Sequence, residues 1–167
     1  MTSDSSKQMN KFYLLLGSNM GNSRQQLVTA QKQLAKKIGT IQRQSGLYQT
    51  AAWGNTNQPD FLNQVIVLQT KLDARTCMAY ILEIEHVMGR IRTKKNAPRI
   101  IDIDILYCNK EVIREKDLVV PHPAIQDRRF VLIPLNALSP NFVHPVLGKT
   151  NHTLLLECTD SLDVKKI

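Results

Sequence analysis

The stretch Pro98-Arg99-Ile100-Ile101-Asp102-Ile103-Asp104-Ile105-Leu106 decides how this chain is read. Isoleucine dominates it, so it reads as a strand, and successive strand side chains point to opposite faces. Asp102 and Asp104 then share one face, while Ile101, Ile103 and Ile105 share the other. By strand rise, residues two apart stand roughly 6 to 7 Å apart at Cα, close enough for both carboxylates to hold one hard cation or a bridged pair. For an isolated D-x-D the competing reading is an exposed sheet face with two solvated acids. Here the neighbouring sequence weighs against it. Gly89-Arg90-Ile91-Arg92-Thr93-Lys94-Lys95-Asn96-Ala97-Pro98-Arg99 sets a dense group of cations beside the acids, a pattern suited to polyphosphate completed by metal.

Working outward, 167 residues with 43% hydrophobic content suit one well-cored domain over residues 11–167. Residues 1–10 are polar and read as a disordered tail without a secretory signal. No apolar run is long enough to span a bilayer. Cys77, Cys108 and Cys158 are widely spaced with no C-x-x-C pair, which argues against a zinc site or a disulfide framework and for the reducing cytoplasm. The net charge of +8 favours an anionic partner without choosing among nucleotide, nucleic acid and membrane surface.

Before the acidic strand, Phe12 to Leu16 is an apolar run ending at Gly17, and Ser18-Asn19-Met20-Gly21-Asn22 reads as a turn. Ser23 and Gln26 form a capping-box pattern, with Leu27, Ala30, Leu34 and Ile38 at helical spacing up to Gly39. Thr40 to Tyr48 reads as one strand, and 50–60 as a loop. Phe61 to Thr70 alternates, with Phe61, Asn63, Val65 and Val67 on one face and Leu62, Ile66 and Leu68 on the other. Asp73 is the expected N-cap of a second helix with Cys77, Ile81, Ile84 and Met88 inside and Gly89 at its end. After the acidic strand, Tyr107 to Ile113 reads as a hairpin turn, and a Pro-rich segment 121–145 includes the apolar run Phe130 to Leu135. The order β-α-β-β-α-β predicts an α+β, ferredoxin-like fold: a mostly antiparallel sheet with helices packed on one side.

The ordered motifs G-R-x-R, P-R-x-x-D-x-D-I-L, P-D-F-L-N, V-P-H-P and R-x-F-V-L-x-P-L together resemble the 6-hydroxymethyl-7,8-dihydropterin pyrophosphokinases of folate biosynthesis, from about Phe12 to beyond Pro145. The resemblance implies transfer of pyrophosphate from ATP to a pterin hydroxymethyl group with release of AMP, by a protein expected to be a monomer with ATP and the pterin as its small-molecule partners. It implies that Asp102 and Asp104 hold two Mg²⁺ ions, and that Arg92 and Arg99 engage the phosphates. It further implies that Glu85, Arg90, His122 and Arg128 attend the nucleotide. Phe61 and Phe130 match the aromatic pair that sandwiches the pterin, Asn63 and Thr50 its edge contacts, and Trp53 a position offering its backbone. Asn63, a poor core residue on the strand face of Phe61, supports an edge-reading role, since an amide both donates and accepts. Two departures stand out. The segment between Arg90 and Arg99 is one residue shorter than in many relatives and lacks their tryptophan, with Lys95 as a substitute charge. Ala51-Ala52 replaces a proline pair, which leaves that loop freer in φ. The alternative is a basic ferredoxin-like RNA-binding module without catalysis, for which paired acids on the binding face are unfavourable.

Overall fold

The computed structural model describes residues 8–52, 57–91 and 97–167. Strand β1 (Asn10–Ser18) is apolar on both faces, which fits only a central strand. It pairs antiparallel with β4 (Phe61–Thr70) on one edge and with β5 (Asp102–Cys108) on the other. Next to β4 lie β2 (Thr40–Gln44) and β3 (Tyr48–Thr50), and β8 (Val164–Lys166) extends the sheet beyond β3. Every pairing is antiparallel, and the order β5-β1-β4-β3-β8 with β2 beside β4 is the 4-1-3-2 arrangement expected of a ferredoxin-like sheet.

Helix α1 (Ser23–Lys37) and helix α2 (Ala74–Val87) follow β1 and β4. They bury Leu27, Ala30 and Leu34, and Cys77, Ile81 and Ile84, against the face formed by Phe12, Leu14, Leu16, Ile66, Leu68, Ile103 and Ile105. Asp73 caps α2 as expected, accepting from the Thr76 N–H at 2.8 Å. For α1 the cap is Asn22, one residue before the expected Ser23, and it accepts from Gln25 N–H. Its short amide performs the same task of meeting an orphan first-turn donor.

The opposite face is covered too, so the expectation of helices on one side is corrected. Helix α3 (Arg129–Leu138) and helix α4 (Asn151–Glu157) pack on Tyr13, Leu15, Val65, Val67, Leu106 and Tyr107. They cover only part of it, and the uncovered part becomes a cavity. Two further expectations change. The single strand over 40–48 is divided, because at Ser45 the hydroxyl accepts the Val65 N–H in place of a backbone carbonyl. The strand after Tyr107 is β6 (Ile113–Glu115), which pairs with β7 (Leu118–Val120) in a separate ribbon and not with β5. Asn10, placed in the tail on sequence, begins β1, and its side chain donates to the Leu72 carbonyl. No described helix is long and apolar enough to cross a membrane.

Candidate active site

The register of three strands builds the cavity floor. Asp102 lies opposite Gly17 across the β5–β1 ladder, and Gly17 lies opposite Asn63 across the β1–β4 ladder. Asp104, Leu15 and Val65 form the row two residues deeper on the same face. The carboxylates and the amide are thus separated by two ladder spacings, about 10 Å. Gly17 keeps the space between them open: a Cβ there would stand 3.0 Å from Asn63 Oδ1 and 3.5 Å from Phe61 Cδ1.

Above this floor is a cavity of about 620 Å³, within the usual range for small-molecule sites. At one end Phe61 and Phe130 line it together with Thr50 and Asn63. Asn63 is buried and its amide donates to the Thr50 hydroxyl at 3.2 Å. An amide oxygen and a hydroxyl hydrogen are left for a polar heterocycle edge. The guanidinium of Arg99 lies 5.8 Å from the Phe61 ring centre, and that of Arg128 lies 5.8 Å from the Phe130 ring centre.

At the other end the acids gather. Glu85, on the inner face of α2, is only 3% exposed. Its Oε2 accepts from the Ile103 N–H and from Arg90 Nη1, both at 2.8 Å. The same Arg90 nitrogen donates to Asp102 Oδ1 at 2.8 Å, and Arg99 Nη1 reaches Asp102 Oδ2 at 3.5 Å. Asp104 has its carboxyl pushed up to about 7, first by burial and then by the charges of Asp102 and Glu85. A carboxylate so placed gains from an added cation. Among the described residues no three acidic, histidine or cysteine side chains converge as a finished cation cage. Two carboxylates awaiting further oxygens suit Mg²⁺, which typically takes one or two carboxylates plus substrate phosphates.

His122 completes the wall. Its Nδ1 accepts the Ala124 N–H at 3.1 Å, leaving Nε2 as the protonated nitrogen of the neutral ring. Burial, then the charge of Arg128, lowers its pKa to about 4.

Of the residues singled out by sequence, Thr50, Phe61, Asn63, Glu85, Arg90, Arg99, Asp102, Asp104, His122, Arg128 and Phe130 all line this one cavity. Trp53, Arg92 and Lys95 lie outside the described residues. By its sequence context Asn19 is a turn residue, yet it is buried and links two loops at the cavity rim. Its Nδ2 donates to Gln58 Oε1 and the Pro59 carbonyl, and its Oδ1 accepts from the Arg99 N–H. An asparagine after a strand is common for turn reasons alone, so nothing local marks it. Met78, Leu82 and Asp117 also line the cavity without a sequence signal.

The model of the family described as 7,8-dihydro-6-hydroxymethylpterin-pyrophosphokinase matches residues 13–140. A protein of Aquifex aeolicus named 2-amino-4-hydroxy-6-hydroxymethyldihydropteridine pyrophosphokinase is 40% identical over 137 residues, covering 82% of this chain and 85% of its own length. The folic acid synthesis protein FOL1 of Dictyostelium discoideum is 37% identical over 158 residues, covering 95% of this chain, which spans 24% of that longer protein. Among solved structures, Plasmodium falciparum HPPK-DHPS with pteroate matches with a TM-score of 0.74 at 19% identity, over 90% of this chain and 42% of that one. That likeness speaks to the fold.

Proposed function

The chain belongs to the 7,8-dihydro-6-hydroxymethylpterin-pyrophosphokinase family, and from that premise we propose that it transfers pyrophosphate from ATP to the hydroxymethyl group of 6-hydroxymethyl-7,8-dihydropterin, in the cytoplasm, as a step of folate synthesis. The observation that carries this reading is the shared sheet face: Asp102 and Asp104 on one side of Gly17, Asn63 and Phe61 on the other, all in one cavity.

In the proposed reaction the pterin hydroxyl oxygen attacks the β-phosphorus and gives up its proton to solvent, a new O–P bond forms, the bond between that phosphorus and the α–β bridging oxygen breaks, and AMP leaves. Phe61 and Phe130 hold the ring by its faces, while Asn63 and Thr50 read its edge, so the hydroxymethyl group is delivered in one orientation. Arg99, and Arg92 from the cationic segment, neutralise phosphate oxygens with paired donors. Arg90 and Arg128 attend the nucleotide, and the family resemblance assigns Trp53 a backbone contact with the pterin. His122 enters as a neutral donor through Nε2, and Glu85 anchors Arg90 and the start of β5. Asp102 and Asp104 are the residues that would hold two Mg²⁺ ions against the ATP phosphates; when bound, the ions offset charge on the entering and departing oxygens. Asp102 also stands closest to the role of orienting the attacking hydroxyl.

The RNA-binding alternative finds no support. The aromatics line a cavity instead of an open strand surface, and two carboxylates, Asp102 and Asp104, stand on the same sheet face. The deciding experiment is AMP release from ATP with Mg²⁺, with and without the pterin. Pterin-dependent AMP is expected, and AMP formation indifferent to pterin overturns the reading.

A further inference from the structure

Residues 141–167 lie beyond the region that the family model matches, yet they reach both walls of the slot between Phe130 and Asn63. Helix α3 starts with Arg128 as its N-cap and has no side-chain cap of its own. An arginine side chain carries donors only, so the first-turn N–H groups need an acceptor from elsewhere. The Val131 and Leu132 N–H groups turn back to the Arg128 carbonyl. The Arg129 N–H instead donates to Asp160 Oδ2 at 3.0 Å, from a residue 31 positions further along the chain.

The second oxygen of that carboxylate is also used. Asp160 Oδ1 accepts the Leu162 N–H at 3.0 Å, a local turn of the Asx type that redirects the backbone. Two residues later β8 begins, and its Val164 and Lys166 pair with Thr50 and Tyr48 of β3. Thr50 in turn accepts from Asn63. A single half-buried carboxylate therefore joins the start of the helix that carries Phe130 to the strand edge that carries Thr50.

We propose that Asp160 is a positioning residue for the pterin slot, fixing the first turn of α3 against the β3–β8 edge and thereby the separation of Phe130 from Thr50 and Asn63. This rests on the pyrophosphokinase reading for the identity of the ligand, but not for the clasp itself. A carboxylate that merely stabilised the fold would leave the two substrates equally affected when removed. Of the residues proposed for the nucleotide, Asp102, Asp104, Arg99 and His122 are remote from Asp160 in the chain and only Arg128 sits at the clasped helix start, whereas the pterin loses the geometry of both walls of its slot.

The test uses Asp160→Ala and Asp160→Asn in two arms. In ligand-free protein, amide hydrogen exchange at residues 129–132 and 164–166 of Asp160→Ala is expected to accelerate about tenfold, the scale of a lost helix cap, with β1 and β4 unchanged. In the binding arm, with a non-hydrolysable ATP analogue and Mg²⁺ present, pterin Kd is expected to weaken about tenfold on the same scale, and nucleotide Kd, through Arg128 alone, by no more than about threefold. Steady-state kinetics should show pterin KM raised and kcat held. Asp160→Asn keeps one of the two acceptor oxygens and should fall between Ala and wild type. Unchanged exchange at residues 129–132, or equal weakening of pterin and nucleotide, overturns the inference. Failure of the wild-type protein to bind pterin overturns the functional reading instead.

Discussion

The two faces of β5, β1 and β4 are built from the same residues in alternation and have opposite fates. Rows such as Ile105, Leu14 and Ile66 face α1 and α2 and close into a dry core. Rows such as Asp102, Gly17 and Asn63 face the cavity. A shift of one residue exchanges core for site, because side-chain direction has period two. The closed face sets the positions of the strands, and the open face places carboxylates and an amide that no core would hold without partners. The two faces should therefore answer differently to substitution.

Asp104→Ala gives the largest contrast. Turnover should fall on the order of 10³-fold, the scale of losing one preorganised electrostatic group, without a lowered Tm. AMP release at saturating Mg²⁺ together with thermal unfolding checks both halves, and retained turnover would separate Asp104 from the chemistry. One residue away, Ile103→Ala should do the opposite. Ile103 is 3% exposed in the α1–α2 core, so truncation should cost about 2–5 kcal/mol of stability. Its kcat, measured well below the lowered Tm, should stay near wild type. A kcat loss as large as that of Asp104→Ala would show that the two faces are not independent.

Asn63→Leu probes the open face at its other end. It removes the buried amide that bonds to Thr50, and the loss of such a group is worth about 1–3 kcal/mol. Calorimetry should find pterin binding weakened in that proportion and nucleotide binding nearly unchanged. Equal weakening of both would dissolve the division of the cavity into a ring end and a phosphate end.

Why some of this could be read in advance follows from the range of the interactions. The strands β1, β4 and β5 show themselves because alternation is written into adjacent residues, and Asp73 because a cap bonds three residues away. Helix α3 reads as a Pro-rich segment since Pro134 sits inside it. Proline lacks the N–H that would bond to the Phe130 carbonyl, and the packing of Phe130, Val131, Leu132, Leu135 and Leu138 in the cluster that includes Val65 and Leu106 offsets that loss. Glu85 could equally have been a solvated helix residue; its bond to the Ile103 N–H spans 18 positions and leaves no local trace. The pairing of Asn19 with Arg99, 80 positions apart, is hidden for the same reason.

In the pH dependence of the ligand-free protein two cavity groups pull in opposite directions and partly cancel, so the net effect on the wild type is small. Asp104 has its folded pKa raised to about 7 from 3.8 by burial and by Asp102 and Glu85. Between those values the native state holds the extra proton, so this group's contribution is present at acid pH and lost as pH rises through about 7. His122 has its folded pKa lowered to about 4 from 6.5, and there the unfolded state holds the extra proton. Its contribution is present above about 6.5 and lost as pH falls toward 4. Asp104→Asn should therefore raise Tm at pH 8 and leave it little changed near pH 4. His122→Asn, whose Oδ1 can still accept the Ala124 N–H, should flatten the acid limb instead. His144, also buried with a lowered pKa, keeps part of that limb in both variants. Tm profiles from pH 4 to 8 check the pair, and Asp104→Asn lowering Tm at pH 8 would mean that the open face is held together by the charge it presents.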